Sequence, residues 1–219
     1  IQAQTVVDYL KNGNKFQDET NYKSAIKEYS KALKIEPQNI DALYFRGNAY
    51  FDSEKYADAI QDYSSIIELN KNYVDAYYNR ANAYYEIEEY EKAINDFSFV
   101  LKLDDKYADA LYDRGNAYFK LGKYNEAISD FKEGLLLNPE YADAYYDLGN
   151  TYFTLGEFEK AIQNYDRAIK VVDNVYDYYF NRALAKFNLE YFDDGCVDLK
   201  KAAELGDTQA EQYVKELCD

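Results

Sequence analysis

The residues best suited to chemistry in this sequence are asparagines that recur every 34 residues. They are Asn14, Asn48, Asn82, Asn116 and Asn150, and Leu184 occupies the sixth place in the row. An asparagine amide both donates and accepts hydrogen bonds, so such a row can bind the backbone of an extended peptide whatever its side chains. The alternative is that each asparagine ties one helix to the next or faces water. Asparagine is a poor helix former, so its recurrence needs one of these reasons.

Aromatic and acidic residues recur with the same period. One aromatic row begins with Leu10 and continues with Tyr44, Tyr78, Tyr112, Tyr146 and Phe180; a second comprises Phe51, Tyr85, Phe119, Phe153 and Phe187. Such rings can hold apolar, proline-rich or cationic side chains, or they can form the core. An acidic row, Asp41, Asp75, Asp109, Asp143 and Asp177, stands where helices are predicted to start. There an aspartate interacts favourably with the helix dipole, by about 0.3 to 1 kcal/mol.

Composition argues against several classes of function. The chain has no histidine, which removes the usual general base and the commonest metal ligand. We therefore expect no enzyme activity, no metal site and no cofactor. The net charge of −16 repels nucleic acid and anionic lipid surfaces. No run of about 18 apolar residues occurs, so no membrane-inserted segment is predicted.

The 34-residue period divides the chain into six repeats, each predicted to be a hairpin of two short helices. Small residues recur where the two helices of a hairpin must touch, as at Gly47 and Ala59. Five residues precede the repeats, and residues 210–219 follow them as one more helix that covers the last hairpin. The predicted repeats are 6–39, 40–73, 74–107, 108–141, 142–175 and 176–209.

The repeated residues resemble those of the tetratricopeptide repeat (TPR) family. Its pattern is met in the fifth repeat by a large residue, Leu-Gly, Tyr, Ala and a second aromatic residue, and both prolines of the chain stand where the family places one. The residues concerned are Tyr145, Leu148, Gly149, Tyr152, Ala161, Tyr165, Pro37 and Pro139. The resemblance covers residues 6–209. It implies an all-α fold, a right-handed α-solenoid of helix hairpins.

The resemblance also implies that the first helix of each repeat lines a concave groove. We expect the asparagine row and the first aromatic row to face that groove and the second aromatic row to form the core. Asp113 and Asp147 would make the groove acidic. Family members that clamp a carboxylate carry cations at positions where this chain has Asp, Tyr, Asn and Phe, with Lys11 as the only cation.

The function implied is non-catalytic: a protein–protein interaction module that binds a neutral to basic peptide segment of a partner in this groove. The alternative is a structural or self-associating scaffold that uses its convex face or edges, in which case the protein forms homo-oligomers. An enzymatic role requires a catalytic domain in a longer protein.

Two further predictions concern the arginines and the cysteines. We expect Arg46, Arg80, Arg114 and Arg182 to stack on tyrosines and to pair with a carboxylate of the next repeat. Two alternatives stay open for the cysteines: Cys196 is a small buried hydrophobe at a place where the other repeats have isoleucine, or it forms a disulfide with Cys218 that holds the last helix. Tyr213, Val214 and Leu217 of that helix would pack inward. The residues before the first repeat, Ile1–Thr5, are read as either the remnant of a cleaved secretory signal or a trimmed boundary. Together with the cysteines, they favour a periplasmic or secreted location over a cytoplasmic one.

Overall fold

The structure is a computed structural model that describes residues 4–218. Of the five residues expected to precede the repeats, Ile1, Gln2 and Ala3 therefore lie outside the described residues, as does Asp219 at the other end. Thr5 has a structural role, because it caps the first helix. Its side chain accepts a hydrogen bond from the Asp8 backbone N–H at 3.3 Å, and the Asp8 carboxylate accepts one from the Thr5 N–H at 2.9 Å. This reciprocal pair satisfies donors that a helix start otherwise leaves unpaired.

Residues 4–218 contain thirteen α-helices and no strand. Twelve of them form six hairpins whose first helices begin 34 residues apart, at the boundaries that the period predicts. The helices are α1 (Val6–Asp18), α2 (Tyr22–Ile35), α3 (Ile40–Asp52), α4 (Tyr56–Leu69), α5 (Val74–Glu86), α6 (Tyr90–Leu103), α7 (Ala108–Lys120), α8 (Tyr124–Leu137), α9 (Ala142–Thr154), α10 (Phe158–Val171), α11 (Tyr176–Asn188), α12 (Phe192–Glu204) and α13 (Thr208–Leu217).

The turn inside each of the six hairpins contains a residue with left-handed backbone at the same place in the repeat. It is glycine in two hairpins, with φ values of 71° at Gly122 and 75° at Gly156, but threonine or glutamate in the others. A residue with a Cβ in this conformation costs roughly 1–2 kcal/mol. Four hairpins bear that cost, at Thr20 (φ 54°), Glu54, Glu88 and Glu190. The repeat therefore specifies this turn through helix packing as well as through glycine.

The chain divides into two compact units, residues 4–110 and residues 111–218, which are described separately. In the first unit, the buried ring of Tyr63 lies against Gly47, where an added Cβ would come within 2.8 Å of the ring. In the second unit, Tyr165 lies against Gly149, with a corresponding distance of 2.6 Å. The small residue of the first helix thus makes room for the ring of the second helix.

The expectation for the arginine row is wrong in one respect. Each of the four arginines pairs with an aspartate on the second helix of its own hairpin, rather than with a carboxylate of the next repeat. Arg80 Nε donates to Asp96 Oδ2 at 2.7 Å, and its Nη2 donates to Asp96 Oδ1 at 2.8 Å. The arginine also stacks on tyrosine, as expected, with the Arg80 Cζ 5.7 Å from the Tyr84 ring centre. The pairing follows from the hairpin, which brings residues 16 apart in sequence into contact.

The C-terminal helix α13 starts at Thr208, two residues before the predicted boundary, because Asp207 caps it by accepting a hydrogen bond from the Gln209 N–H. Tyr213 stacks on Phe180 with ring centres 5.7 Å apart, and Val214 is half-buried. The prediction for Leu217 is wrong, since it is 58% exposed. Leu217 follows Tyr213 and Val214 on the same helix face but is the last residue of α13. A disulfide joins Cys196 to Cys218.

The ion pair between Arg80 and Asp96 in the third hairpin gives a testable prediction, because another hairpin has uncharged residues at the same two places. The fifth hairpin has Leu148 and Asn164 at the places of Arg80 and Asp96. Arg80→Leu alone should lower the free energy of unfolding by about 3–5 kcal/mol, because it leaves a buried carboxylate unpaired. Adding Asp96→Asn should restore most of that loss. Urea unfolding of both single variants and the double variant measures the coupling, and additive losses would contradict the structural role of the pair.

The disulfide gives a second prediction. Cys218→Ala should release the end of α13, with a loss of about 3 kcal/mol for a cross-link closing a loop of this size. Hydrogen exchange of backbone amides in residues 208–217 should accelerate, while amides of α9 and α10 keep their protection. Reduction of the wild-type protein is the matched control and should have the same effect. Two free thiols in the unreduced protein would contradict the bond.

Candidate peptide-binding surface

The asparagine row lies on the first helices, and three of its members bond to the second helix of their own hairpin. The hydroxyl of Tyr29 donates to Asn14 Oδ1, that of Tyr63 to Asn48 Oδ1, and that of Tyr165 to Asn150 Oδ1, each at 2.8 Å. These amide oxygens are therefore engaged within the protein. The interpretation that the asparagines tie helices together applies to these three hairpins.

A second asparagine, on the first helix of the following hairpin, joins this network. Asn79 Nδ2 donates to Asn48 Oδ1 at 3.2 Å and to the Tyr44 hydroxyl at 3.3 Å. In the other unit, Asn181 Nδ2 donates to Asn150 Oδ1 at 3.1 Å and to the Tyr146 hydroxyl at 2.7 Å. Asn79 and Asn181 are not among the residues predicted from the sequence. The sequence feature that could have identified them is a second recurrence of Asn or Asp, three residues before the asparagine row.

Asn82 and Asn116 differ from the rest of the row because the second helix offers phenylalanine, Phe97 or Phe131, in place of tyrosine. The Asn116 amide instead lies close enough to the hydroxyl of Tyr112, on its own helix, to act on the pKa of that hydroxyl by lowering it. Asn82 is half-buried and makes no side-chain hydrogen bond to the residues described. Asn82 thus presents a whole amide at the surface of α5. The sequence could have predicted which asparagines lack a bond to the second helix, because that helix carries Phe rather than Tyr in their hairpins.

The first aromatic row is half-buried and packs between rings rather than standing free. The Tyr44 ring centre lies 6.5 Å from Tyr63 and 5.9 Å from Tyr73, and the Tyr112 ring centre lies 4.6 Å from Tyr141. Tyr78 and Tyr146 have equivalent neighbours. These four tyrosines join successive repeats, and only part of each ring is accessible to a ligand.

The second aromatic row packs at the start of the second helix of each hairpin. Phe51 contacts Tyr56, and Phe153 contacts Phe158, each with ring centres 5.3 Å apart and nearly perpendicular planes. These rings are half-buried. They belong to the hairpin and also present one edge at the surface of the first helices.

Acidic side chains accompany these rings. Asp113 and Asp147 are both half-buried. Burial raises the pKa of Asp147, and the hydrogen bond that the Tyr112 hydroxyl donates to it at 2.8 Å partly offsets this effect. In the helix-start row, Asp143 accepts a hydrogen bond from the Tyr178 hydroxyl at 2.7 Å. Asp147 and Asp143 therefore hold adjacent hairpins together as well as contributing negative charge.

Each unit contains a pocket on its first helices. The first pocket has a volume of about 210 Å³ and is lined by Asn48, Phe51, Asp52, Tyr63, Asn79 and Asn82. The second has a volume of about 270 Å³ and is lined by Phe119, Asn150, Phe153, Thr154, Tyr165 and Asn181. Both combine amides with aromatic walls, an arrangement that can hold a side chain while hydrogen-bonding its polar atoms.

Comparison with protein families identifies the class of protein that this architecture represents. A family model described as TPR repeat matches residues 13–53, 47–88, 81–122 and 115–156. A second, described as tetratricopeptide repeat, matches residues 142–173. The chain therefore belongs to the tetratricopeptide repeat family. Its fold is an all-α helical repeat, and it is a protein–protein interaction module of the kind that this fold generally provides.

Solved structures agree with this assignment. The MamA protein is 27% identical with a TM-score of 0.73, over 77% of this chain and 92% of that chain. YrrB, described as a TPR protein with an unusual peptide-binding site, is 20% identical with a TM-score of 0.72, over 86% of this chain and 98% of that one. A tetratricopeptide repeat protein from Parabacteroides merdae is 20% identical with a TM-score of 0.69, over 98% of this chain and 84% of that chain. At 20% identity the likeness shows the fold alone.

No curated protein sequence matches the chain significantly. In the part of the chain that the structure describes, no helix combines the length and apolar character needed to cross a membrane.

The tyrosines that anchor the asparagine row predict a weakness at high pH. Burial, reinforced by the charge of Asp18, raises the pKa of Tyr29 to about 12. Since an unfolded tyrosine titrates near 10, the folded state holds this proton more tightly. The resulting stability is complete below about pH 10 and is lost as pH rises toward 12.

Tyr29→Phe should reduce the slope of unfolding free energy against pH between 10 and 12. Phenylalanine fits, because Phe97 and Phe131 occupy the same place in other hairpins. Urea unfolding at pH 8, 10 and 11 gives the slope, with the pH 8 value as the baseline for each protein. Equal slopes for variant and wild type would show that Tyr29 does not contribute.

Proposed function

We propose that the first helices of this protein bind a peptide segment of a partner protein, without catalysis. The observation that carries the proposal is the Asn82 amide, which has no hydrogen-bonding partner among residues 4–218 and lines a pocket with aromatic walls. An amide that the protein leaves unpaired can donate to and accept from a peptide backbone. The neighbouring tyrosines supply partly exposed ring surface for side chains.

The charge of this surface indicates what kind of peptide it accepts. On the first helices of the first unit, Asp41, Asp75, Asp52 and Glu86 are exposed. Complementary charge speeds encounter and disfavours acidic partners. The proposed ligand is therefore a neutral to basic segment, and its binding should weaken as salt concentration rises.

One solved structure with the same fold supports the proposal. YrrB shares the fold and is described as having a peptide-binding site. That site is called unusual, so the residues proposed for this chain depend on its own structure.

A selection from a random dodecapeptide library displayed on phage tests the function and requires no identified partner. Peptides selected on the wild-type protein should bind it in fluorescence anisotropy with an affinity that falls in high salt. Asn82→Ala combined with Asn116→Ala should weaken them about 2- to 10-fold for each hydrogen bond that is lost. The reason is that a bound backbone loses its amide partner while the hairpins keep their tyrosine contacts.

The matched control replaces two exposed asparagines of the second helices, Asn95→Ala and Asn125→Ala. It makes the same chemical change outside the proposed surface and should leave affinity unchanged. Equal affinity in the two double variants would contradict a role for Asn82 and Asn116. If no peptide is selected and light scattering shows a mass that rises with concentration, the protein is a self-associating scaffold and the proposal fails.

A further inference from the structure

The two pockets occupy equivalent places three repeats apart in the sequence. Asn48, Phe51, Tyr63 and Asn79 of the first pocket correspond to Asn150, Phe153, Tyr165 and Asn181 of the second. Both contain the same hydrogen bonds, from a tyrosine hydroxyl and a second asparagine to one amide oxygen. The chain therefore builds one kind of pocket twice, once in each unit.

The remaining lining residues, which take no part in these hydrogen bonds, differ between the two pockets. Asp52 lines the first pocket, and Thr154 stands at its place in the second. Asn82 lines the first pocket, and the corresponding residue of the second unit is Leu184. Phe119 lines the second pocket, and the corresponding residue of the first unit is Gln17. The first pocket is thus anionic and rich in amides, and the second is uncharged and more apolar.

The Asp52 carboxylate has no cation beside it. Its Oδ2 accepts a hydrogen bond from Gln17 Nε2 at 2.5 Å, and no ion pair in residues 4–218 includes it. Although the residue as a whole is exposed, burial of the carboxylate raises its pKa more than the Gln17 bond lowers it. A cation at Asp52 would offset this desolvation. Its other oxygen, Oδ1, accepts no hydrogen bond from the described residues.

Asn79 adds a second acceptor to the first pocket. Because its Nδ2 already donates to Asn48 and to Tyr44, the atom that it leaves for a ligand is Oδ1. A lysine ammonium or an arginine guanidinium has several N–H donors and no acceptor, so it fits two neighbouring acceptor oxygens. The partly exposed ring of Phe51 suits the aliphatic stem of such a side chain and attracts its charge.

We infer that the pocket of the first unit selects a lysine or arginine side chain of the bound peptide, with Asp52 as its counter-ion. The equivalent pocket of the second unit selects an uncharged side chain, because Thr154 replaces the carboxylate. This inference rests on the proposed function, since it assigns the side chains of the same peptide class. Each pocket acts within its own unit.

The test repeats the dodecapeptide selection on Asp52→Asn and on Thr154→Asp. Asp52→Asn keeps the shape of the side chain and an oxygen to accept from Gln17, so only the charge is lost. Wild-type selections should be enriched in lysine and arginine, and the Asp52→Asn selections should lose that enrichment. Thr154→Asp should increase it, since the second pocket then carries a carboxylate.

A peptide from the wild-type selection then tests whether its lysine pairs with the Asp52 carboxylate. Replacing its lysine by acetyl-lysine should weaken binding to wild type about 5- to 50-fold, but should change binding to Asp52→Asn by less than about 2-fold. For a peptide that carries arginine, citrulline serves the same purpose. The melting temperature of Asp52→Asn should equal or exceed that of wild type, because an unpaired, partly desolvated carboxylate has been removed.

The outcomes separate this inference from the proposed function. Selected peptides without lysine or arginine enrichment, or an equal effect of acetyl-lysine on wild type and Asp52→Asn, would overturn the inference and leave peptide binding intact. Failure to select any peptide on the wild-type protein would overturn both. Asp52→Asn alone decides the matter if Thr154→Asp does not fold.

Discussion

The fold depends above all on one contact, in which an aromatic ring of the second helix lies against a glycine or alanine of the first. Tyr63 and Tyr165 are 1% exposed and Phe131 is fully buried, each over the glycine of its hairpin. A glycine inside a helix costs about 1 kcal/mol relative to alanine. Burial of the ring contributes about 1.5–3 kcal/mol, so the exchange favours the hairpin. The small residue sets how closely the two helices approach, and the ring fixes their rotation about each other.

The same contact decides what the surface can do. When the ring is tyrosine, its hydroxyl reaches through the hairpin to the asparagine that follows the glycine, as in Tyr63 to Asn48. That asparagine oxygen then belongs to the fold. When the ring is phenylalanine, no hydroxyl arrives and the asparagine is left to other partners, as at Asn82. The presence or absence of one hydroxyl on a buried ring therefore decides which asparagine amides are bonded to the second helix.

The sequence predicted the architecture well, for a physical reason. A 34-residue period repeats the local choices that define each helix, so the starts at Val6, Ile40 and Val74 follow from the pattern alone. Contacts between helices were harder to predict. Arg80 was expected to pair with the next repeat, because sequence spacing does not reveal that a hairpin brings residues 16 apart together. The exposure of Leu217 was not predicted either, because it continues the apolar pattern of Tyr213 and Val214 but stands at the last residue of α13.

Within a repeat, the residues that pack the hairpin differ from the residue that sets the charge of the pocket. The same fold can therefore contain one charged and one uncharged pocket. Where the ring is tyrosine, glycine, ring and asparagine contact one another, as Gly47, Tyr63 and Asn48 do. Asp52 and Thr154 stand at the end of a first helix, outside that contact, and the backbone there is helical in both units. Replacing one by the other changes charge without moving the aromatic walls. The difference in charge between the two pockets therefore lies at a position outside the contact between ring and glycine.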